Sequence, residues 1–253
     1  MNEMETKVDA RTLAERLASV RARIEAACRR SGRSPEEVTL IGVTKTFPFE
    51  VVEAAFAAGL RDFGENKVQE LVAKAGRMPG RHEGGPVRWH MIGHLQRNKA
   101  KEVVAHADLF HALDRLRLAE ALDRRAGAAG RVLPCLVQVN VSGETTKFGL
   151  DPDAVHPFLD EMARFEHLRI EGLMTLAAPA DNPEDVRPQF RLLRRLLETY
   201  DVRDHSTVRL SALSMGMSGD FEVAVEEGAT HVRVGSAIFG PRRTAATPTN
   251  HRG

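Results

Sequence analysis

The residue best suited to covalent chemistry is Lys45, placed directly after the β-rich run TLIGVT (39–44). At a strand end its stem can rest on an aliphatic core while its amine reaches whatever the strand ends surround. A lysine in that place is either a solvated loop residue or an imine former. At the reference pKa of about 10.4, on the order of one lysine amine in a thousand is free at neutral pH. An imine-forming lysine therefore needs burial or a cationic neighbour. Two Gly/Ser-rich turns complement it. SALSMGMSGD (211–220) supplies Ser214, Gly216, Ser218 and Gly219, and RVGSAIFG (233–240) supplies Gly235 and Ser236. Glycines let backbone approach a ligand, and N–H groups and hydroxyls donate to phosphate oxygens. One such turn is usually only a turn; two of them beside a strand-end lysine describe a phosphorylated carbonyl compound held as an imine. Arg233, two residues before Gly235, shares its strand face. An arginine inside a core needs an acidic partner or a ligand. If that ligand is pyridoxal phosphate (PLP), Arg233 would donate to the ring nitrogen. Being always protonated, it would then weaken the ring as an electron sink, which suits racemase-like chemistry or storage better than transamination.

These residues need elements to hold them. Candidate strands lie at 39–44, 60–64, 87–93, 108–113, 133–141, 168–176, 208–213 and 230–235, separated by helical stretches near 48–58, 66–75, 96–105, 114–126, 152–165, 184–199 and 218–227. Strands alternating with helices imply an α/β protein with parallel pairing, because parallel neighbours need a crossover. Several strands are nearly unbroken aliphatic runs, as expected when both faces are covered. Eight units in 253 residues fit a (β/α)8 TIM-type barrel of one domain. In such barrels the loops after strands seven and eight, with a short helix start, often bind phosphate. A doubly wound open sheet is the alternative, weakened by the lack of GxGxxG after the first strand. An additional amphipathic helix precedes the barrel, with Leu13, Leu17, Val20, Ile24 and Ala27 on one face. Thr12 and Glu15 read as its capping box, and Ser31-Gly32 as its stop. GRMPGRHEGGP (76–86) reads as a flexible loop, 1–240 as the domain and 241–253 as a frayed tail.

Composition narrows the function classes. Hydrophobic residues make up 42%, charged residues 28% and aromatics 5%, so the core should be mostly aliphatic. A net charge of +1 leaves no global field to attract nucleic acid or an anionic membrane; any anion site must be local. Cys28 and Cys135 form no CxxC pattern, which argues against a disulfide framework or a cysteine-based zinc site. The first residues lack an apolar leader, and no run reaches the roughly 18 apolar residues that cross a bilayer. The expectation is a cytoplasmic protein without nucleic-acid or membrane partners.

Four segments carry a specific resemblance: VTKTFP (43–48), FGENKVQE (63–70), WHMIGHLQRNK (89–99) and LSMGMSGDFEVAVEEGATHVRVGSAIFG (213–240). Together they resemble the YggS/PROSC family of pyridoxal phosphate homeostasis proteins, related to the barrel domain of alanine racemase. The similarity runs from the first helix to Gly240. It implies PLP held as an aldimine on Lys45, with Arg233 facing the ring nitrogen. It also implies that Ser214, Gly235 and Ser236 hold the phosphate and that Asn66 lies beside the cofactor. The implied role is vitamin B6 balance: storage, and passage of PLP to apo-enzymes.

Other residues attract weaker readings. His90 and His94 suggest a metal, but HExxH needs a helix and a glutamate after the first histidine, so satisfied polar groups are the expectation. Gln96, Asn98 and Lys99 belong to the resemblance without an assigned role. Lys147 could reach the barrel mouth or sit on the surface. Met174 reads as wall, and Arg187, Arg191 and Arg195 as a solvated helical stripe. A PLP racemase generally needs a base on each face of its substrate. The single tyrosine, Tyr200, ends a helical stretch and reads as packing, and the chain ends about where the barrel closes. A carrier is therefore expected rather than an enzyme, and a monomer rather than a dimer. The rivals are an amino-acid racemase or other PLP enzyme, a cofactor-free lysine aldolase and an interaction scaffold.

Overall fold

A strand followed by a helix can return to a parallel neighbour only by crossing over one face of the sheet, and eight such steps close a cylinder. In the computed structural model, which describes residues 9–78, 81–82, 85–144, 147–201 and 207–241, they do so. The barrel strands are β1 Thr39–Val43, β2 Asp62–Glu65, β3 Arg88–Met91, β4 Leu109–Leu113, β5 Leu133–Gln138, β6 Leu168–Met174, β7 Val208–Ser214 and β8 His231–Val234. Each pairs in parallel with the next, and β1 closes the ring against β8 from Thr39↔His231 to Gly42↔Val234. Closure excludes the doubly wound alternative, and every expected strand is present within a few residues of its expected bounds.

The helices are α1 Ala10–Ser31, α2 Phe49–Ala57, α3 Val68–Arg77, α4 Ala100–His106, α5 Leu116–Ala128, α6 Val155–Met162, α7 Arg187–Glu198, α8 Phe221–Glu226 and α9 Ser236–Phe239. α1 buries Leu13, Leu17, Val20, Ile24 and Ala27, the expected face, and packs against α8 and α9. Arg23 and Arg30 add ion pairs to Glu222 and Glu226 of α8. Its start differs from the expected capping box. Asp9 is the N-cap, accepting from Arg11 N–H and from the Thr12 hydroxyl, while Glu15 pairs with Arg11 at 3.0 Å. A carboxylate one turn earlier offers the first free N–H groups a stronger acceptor than a hydroxyl. The expected stop is present: Gly32 takes φ +69° and its N–H reaches Arg29 O.

Two further expectations change. Within the expected loop 76–86, α3 runs on to Arg77, and Arg81–His82 pairs antiparallel with Gly85–Pro86. Arg187 and Arg191 are not simply solvated. Arg187 bonds Glu184, Glu226 and Glu227 at 2.6–2.9 Å, and Arg191 reaches Glu227 at 3.1 Å, locking α7 to α8. The expected tail lies outside the described residues apart from Pro241. Among the described residues no helix is long and apolar enough to cross a membrane.

The core is aliphatic where strands meet helices, but not throughout. His111 on β4 lies 2.9 Å from Ser214 on β7. Since β5 and β6 stand between these strands in the ring, that contact crosses the barrel interior. The interior is therefore polar at its centre, a feature that the expectation of a mostly aliphatic core did not locate.

The apolar face of α1 is what fastens it to the barrel. Leu17 is 1% exposed, and Leu17→Ala should cost about 2–5 kcal/mol, read as a lower urea midpoint with an unchanged slope.

Candidate functional site

At the carboxyl ends of the strands lies a cavity of about 350 Å3, lined among others by Lys45, Asn66, Arg233, Gly235 and Ser236. Five of the six expected site residues thus meet around one space. Val43, Phe47, Ile92, Leu176 and Met217 supply apolar walls, the usual mixture for a small-molecule site of this size.

Lys45 is positioned by a clamp beneath it. Lys74 of α3 donates to the Thr44 carbonyl and to Glu65 Oε1, both at 2.7 Å, and the Thr44 hydroxyl donates to the same oxygen at 2.5 Å. Thr44 and Glu65 are fully buried. Burial pushes the Glu65 carboxyl up to about 6, opposed by the nearby Lys74 ammonium. On the other side of Lys45, Thr46 takes φ +69°, a left-handed conformation unusual for a β-branched residue. It is held by a bond of 2.7 Å from its N–H to Glu70 Oε2. Such strain costs on the order of 1–3 kcal/mol and persists only where surroundings enforce it. Lys74, Glu65 and Glu70 escaped the sequence reading. A Glu70/Lys74 spacing marks one helix face, but nothing local links that face to Thr44.

Asn66 is presented by a close approach of backbone. A Cβ at Gly93 would overlap the Asn66 carbonyl oxygen, so only glycine lets the chain after β3 lie against the turn after β2. The Asn66 side-chain oxygen is buried with no hydrogen-bond partner. A buried acceptor left open on a cavity wall is what a bound donor would satisfy.

Arg233 enters from β8, 3% exposed. Its Nη1 donates to Ser214 Oγ at 2.5 Å and its Nη2 to the Thr175 carbonyl at 2.7 Å. No carboxylate lies within ion-pair distance of it among the described residues, so it is a buried cation with neutral partners. Burial brings its pKa down to about 10, against the pull of Asp220. Ser214 is not a wall of the cavity. It is fully buried behind Arg233, bonded to it and to His111, a placement that does not match a phosphate contact. The hydroxyl in the expected position belongs to Ser218, which lines the cavity and accepts from Gly235 N–H at 3.2 Å and Ala237 N–H at 3.3 Å. The SALSMGMSGD run contains three serines, and only the turn geometry separates them. Gly216, at φ +91° with Phe221 and Ala224 against it, bends the chain so that Ser218 faces inward. Asp220 fixes the bend by accepting from Met217 N–H at 2.6 Å.

The other candidates lie apart. His90 is buried within hydrogen-bond distance of Asp62 and His111, while His94 stacks on Phe148 with ring centroids 3.9 Å apart. Among the described residues no three His, Cys, Asp or Glu groups converge as metal ligands. Both cysteines are free and buried. Lys147 pairs with Glu144 at 2.7 Å, Met174 is buried wall, and Arg97 and Asn98 are exposed beside α5. Tyr200 donates to Asp160 at 2.9 Å in the connection that leads into the start of β7, at the opposite end from the cavity.

The chain is similar in sequence and in fold to known proteins. Residues 16–243 match the family model described as alanine racemase, N-terminal domain. The chain is 42% identical over 229 residues to the pyridoxal phosphate homeostasis protein of Aquifex aeolicus, covering 90% of this chain and 98% of that one. An unknown protein from Bifidobacterium adolescentis superposes with a TM-score of 0.87 at 35% identity, covering 94% and 98% of the two chains. PipY of Synechococcus elongatus with PLP bound superposes with a TM-score of 0.75 at 36% identity, covering 90% and 100%.

Two expectations follow for stability. Lys74→Met strands a buried carboxylate and should cost about 3 kcal/mol or more, measured by urea denaturation. The interior histidines set a pH dependence. Burial holds His111 well below 6.5 and takes His231 down to about 3, so each stays neutral when folded and takes up a proton on unfolding below about 6.5. Stability present above that pH falls as the pH drops, by about 1.4 kcal/mol per unit for each histidine. Glu65 acts oppositely: its raised folded pKa adds stability as the pH falls from about 6 to its ordinary 4.5. The net decline should therefore be about half as steep between pH 6 and 4.5 as just below 4.5, as urea midpoints across pH 7.5 to 3.5 will read; a decline steepest between pH 6 and 5 contradicts the assignment.

Proposed function

We propose, from the premise that this chain belongs to the alanine racemase N-terminal domain family and within it to the pyridoxal phosphate homeostasis proteins, that it binds PLP in the Lys45 cavity to maintain vitamin B6 balance in the cytoplasm. The observation that carries this reading is the convergence of Lys45, Arg233 and the Gly235–Ser236 turn on one cavity. The donor set fits the group. An amine faces a space large enough for a pyridine ring, a buried cation stands at its floor, and hydroxyls of Ser218 and Ser236 stand beside backbone N–H groups. The open Asn66 oxygen adds an acceptor.

When bound, the cofactor supplies an aldehyde that a lysine amine captures reversibly with loss of water. The protein's residues do the rest. Lys45 is the capturing amine, held in place by the Thr44–Glu65–Lys74 clamp. The hydroxyls of Ser218 and Ser236 would hold the phosphate, with Ser218 oriented by the N–H groups of Gly235 and Ala237 and taking the part first assigned to Ser214. Arg233 would face the ring nitrogen and, as a permanent cation, would disfavour a proton there, which suits holding the group better than carbanion chemistry. Asn66 offers its amide to the ring's polar edge.

Storage and delivery to apo-enzymes, by a monomer, are favoured over racemisation. Tyr200, the single tyrosine, is bonded to Asp160 at the other end of the barrel and cannot serve the cavity as a second base. A linkage to Lys45 that water or another amine can reverse would suit a carrier.

Purified protein mixed with PLP should develop a visible band that shifts on borohydride reduction, with peptide mapping placing the label on Lys45. Lys45→Ala should bind PLP at least about tenfold more weakly and leave no reducible band. A reducible adduct retained on another lysine at unchanged affinity contradicts the reading.

A further inference from the structure

The side of Arg233 turned away from the cavity is tied to a hydrogen-bond chain that descends through the barrel. Ser214 Oγ, which accepts from Arg233, lies 2.9 Å from His111 Nδ1. His111 Nε2 lies 2.9 Å from His90 Nδ1, and His90 Nε2 lies 2.9 Å from Asp62 Oδ1. Asp62 is the first residue of β2, so the chain ends near the opposite face of the barrel. There Arg88 donates to both carboxylate oxygens, at 2.6 and 2.7 Å. Five strands contribute, and all five linked side chains are buried, whereas that of Arg88 is 59% exposed.

The two ends fix the direction of everything between them. A guanidinium can only donate, and an ionised carboxylate can only accept. Asp62 is ionised: burial raises its pKa, but the bonds from His90 and Arg88 prevail and hold it at about 2. Where both imidazoles are neutral, each of them, like the hydroxyl, holds one donor and one acceptor for this path. One arrangement then satisfies every member: Arg233 donates to Ser214, Ser214 to His111, His111 to His90, and His90 to Asp62. Both histidines carry their proton on Nε2. The reverse order would set the lone pair of His90 Nε2 against a carboxylate, a costly opposition in a low-dielectric interior.

The arrangement also solves a charge problem. A carboxylate bonded directly to Arg233 would satisfy the guanidinium but cancel its charge at the cavity. Three intervening links keep the carboxylate near the far end, where Arg88 pairs with it, so Arg233 is hydrogen-bonded behind by Ser214 and the Thr175 carbonyl and still positive in front.

We propose that Asp62 is a remote positioning residue for the cavity: from the far end of the barrel it sets the direction of the His90–His111–Ser214 chain and thereby the guanidinium of Arg233. This rests on the reading of the cavity as a PLP site and deepens it by naming what orients the cation that faces the ring.

Histidine-selective 15N NMR of the cofactor-free protein tests the direction, and PLP titration tests its effect on the cavity. The wild type should show His90 and His111 protonated on Nε2. Asp62→Asn, which removes the charge at nearly constant shape, should populate the Nδ1–H form of at least one of them and raise the PLP dissociation constant about fivefold. Ser214→Ala, which cuts the last link, should leave His90 on Nε2 and weaken PLP binding by a similar or larger factor. Nδ1–H at His111 in the wild type overturns the proposal, as does a folded Asp62→Asn with unchanged protonation and affinity. Should Asp62→Asn fail to fold, unchanged PLP affinity in Ser214→Ala overturns it. Failure of the wild type to bind PLP would instead sink the functional reading, while the imidazole protonation and its change in Asp62→Asn would still decide the chain's direction.

Discussion

A guanidinium buried in the middle of a β-barrel is the constraint around which this molecule is arranged. Isolated, such a charge is prohibitively costly in a low-dielectric interior. Arg233 is accommodated because Ser214 and the Thr175 carbonyl accept from it, and because the interior around them is polar rather than aliphatic. The aliphatic content of the strands is spent mainly on their other faces, against the helices. The barrel thus separates two tasks by direction: stability from the sheet–helix layer, and electrostatic shaping of a cavity from the inside.

The alternation of strand and helix was legible from residue types alone, because aliphatic runs and amphipathic stretches differ in period. Lys45 and Arg233 were legible because their positions on strands decide where they point. Ser214 was misplaced for a physical reason. Ser214 and Ser218 lie four residues apart in a turn, and which one faces the cavity depends on the left-handed bend at Gly216 and the Asp220 contact. The Thr44–Glu65–Lys74 clamp was invisible because its members come from β1, β2 and α3 and meet only after closure. The polar interior was hidden too. His90 and His111 sit in hydrophobic-looking runs, and alternation along a strand says which residues share a face without saying whether that face meets helices or the barrel axis.

The surroundings of Lys45 combine rigidity below with strain above. The buried ion pair and the Thr44 bonds fix the backbone on one side, while Thr46 is held in a disfavoured conformation by a single contact to Glu70. A lysine so placed has a defined root, which suits the reversible capture of an aldehyde proposed for it. The apolar rim, with Leu176 and Met217 partly exposed, leaves the opening accessible to solvent and to other amines.

The seam between β1 and β8 has a consequence in time. The Lys45 amine hangs from the first strand, and the Gly235–Ser236 turn hangs from the last, so residues 45 to 236 must all be synthesised before the two become neighbours. A chain that lacks the last strand lacks the Gly235–Ser236 side of the cavity. Occupancy of the cavity therefore reports that the first and last strands of the barrel have met.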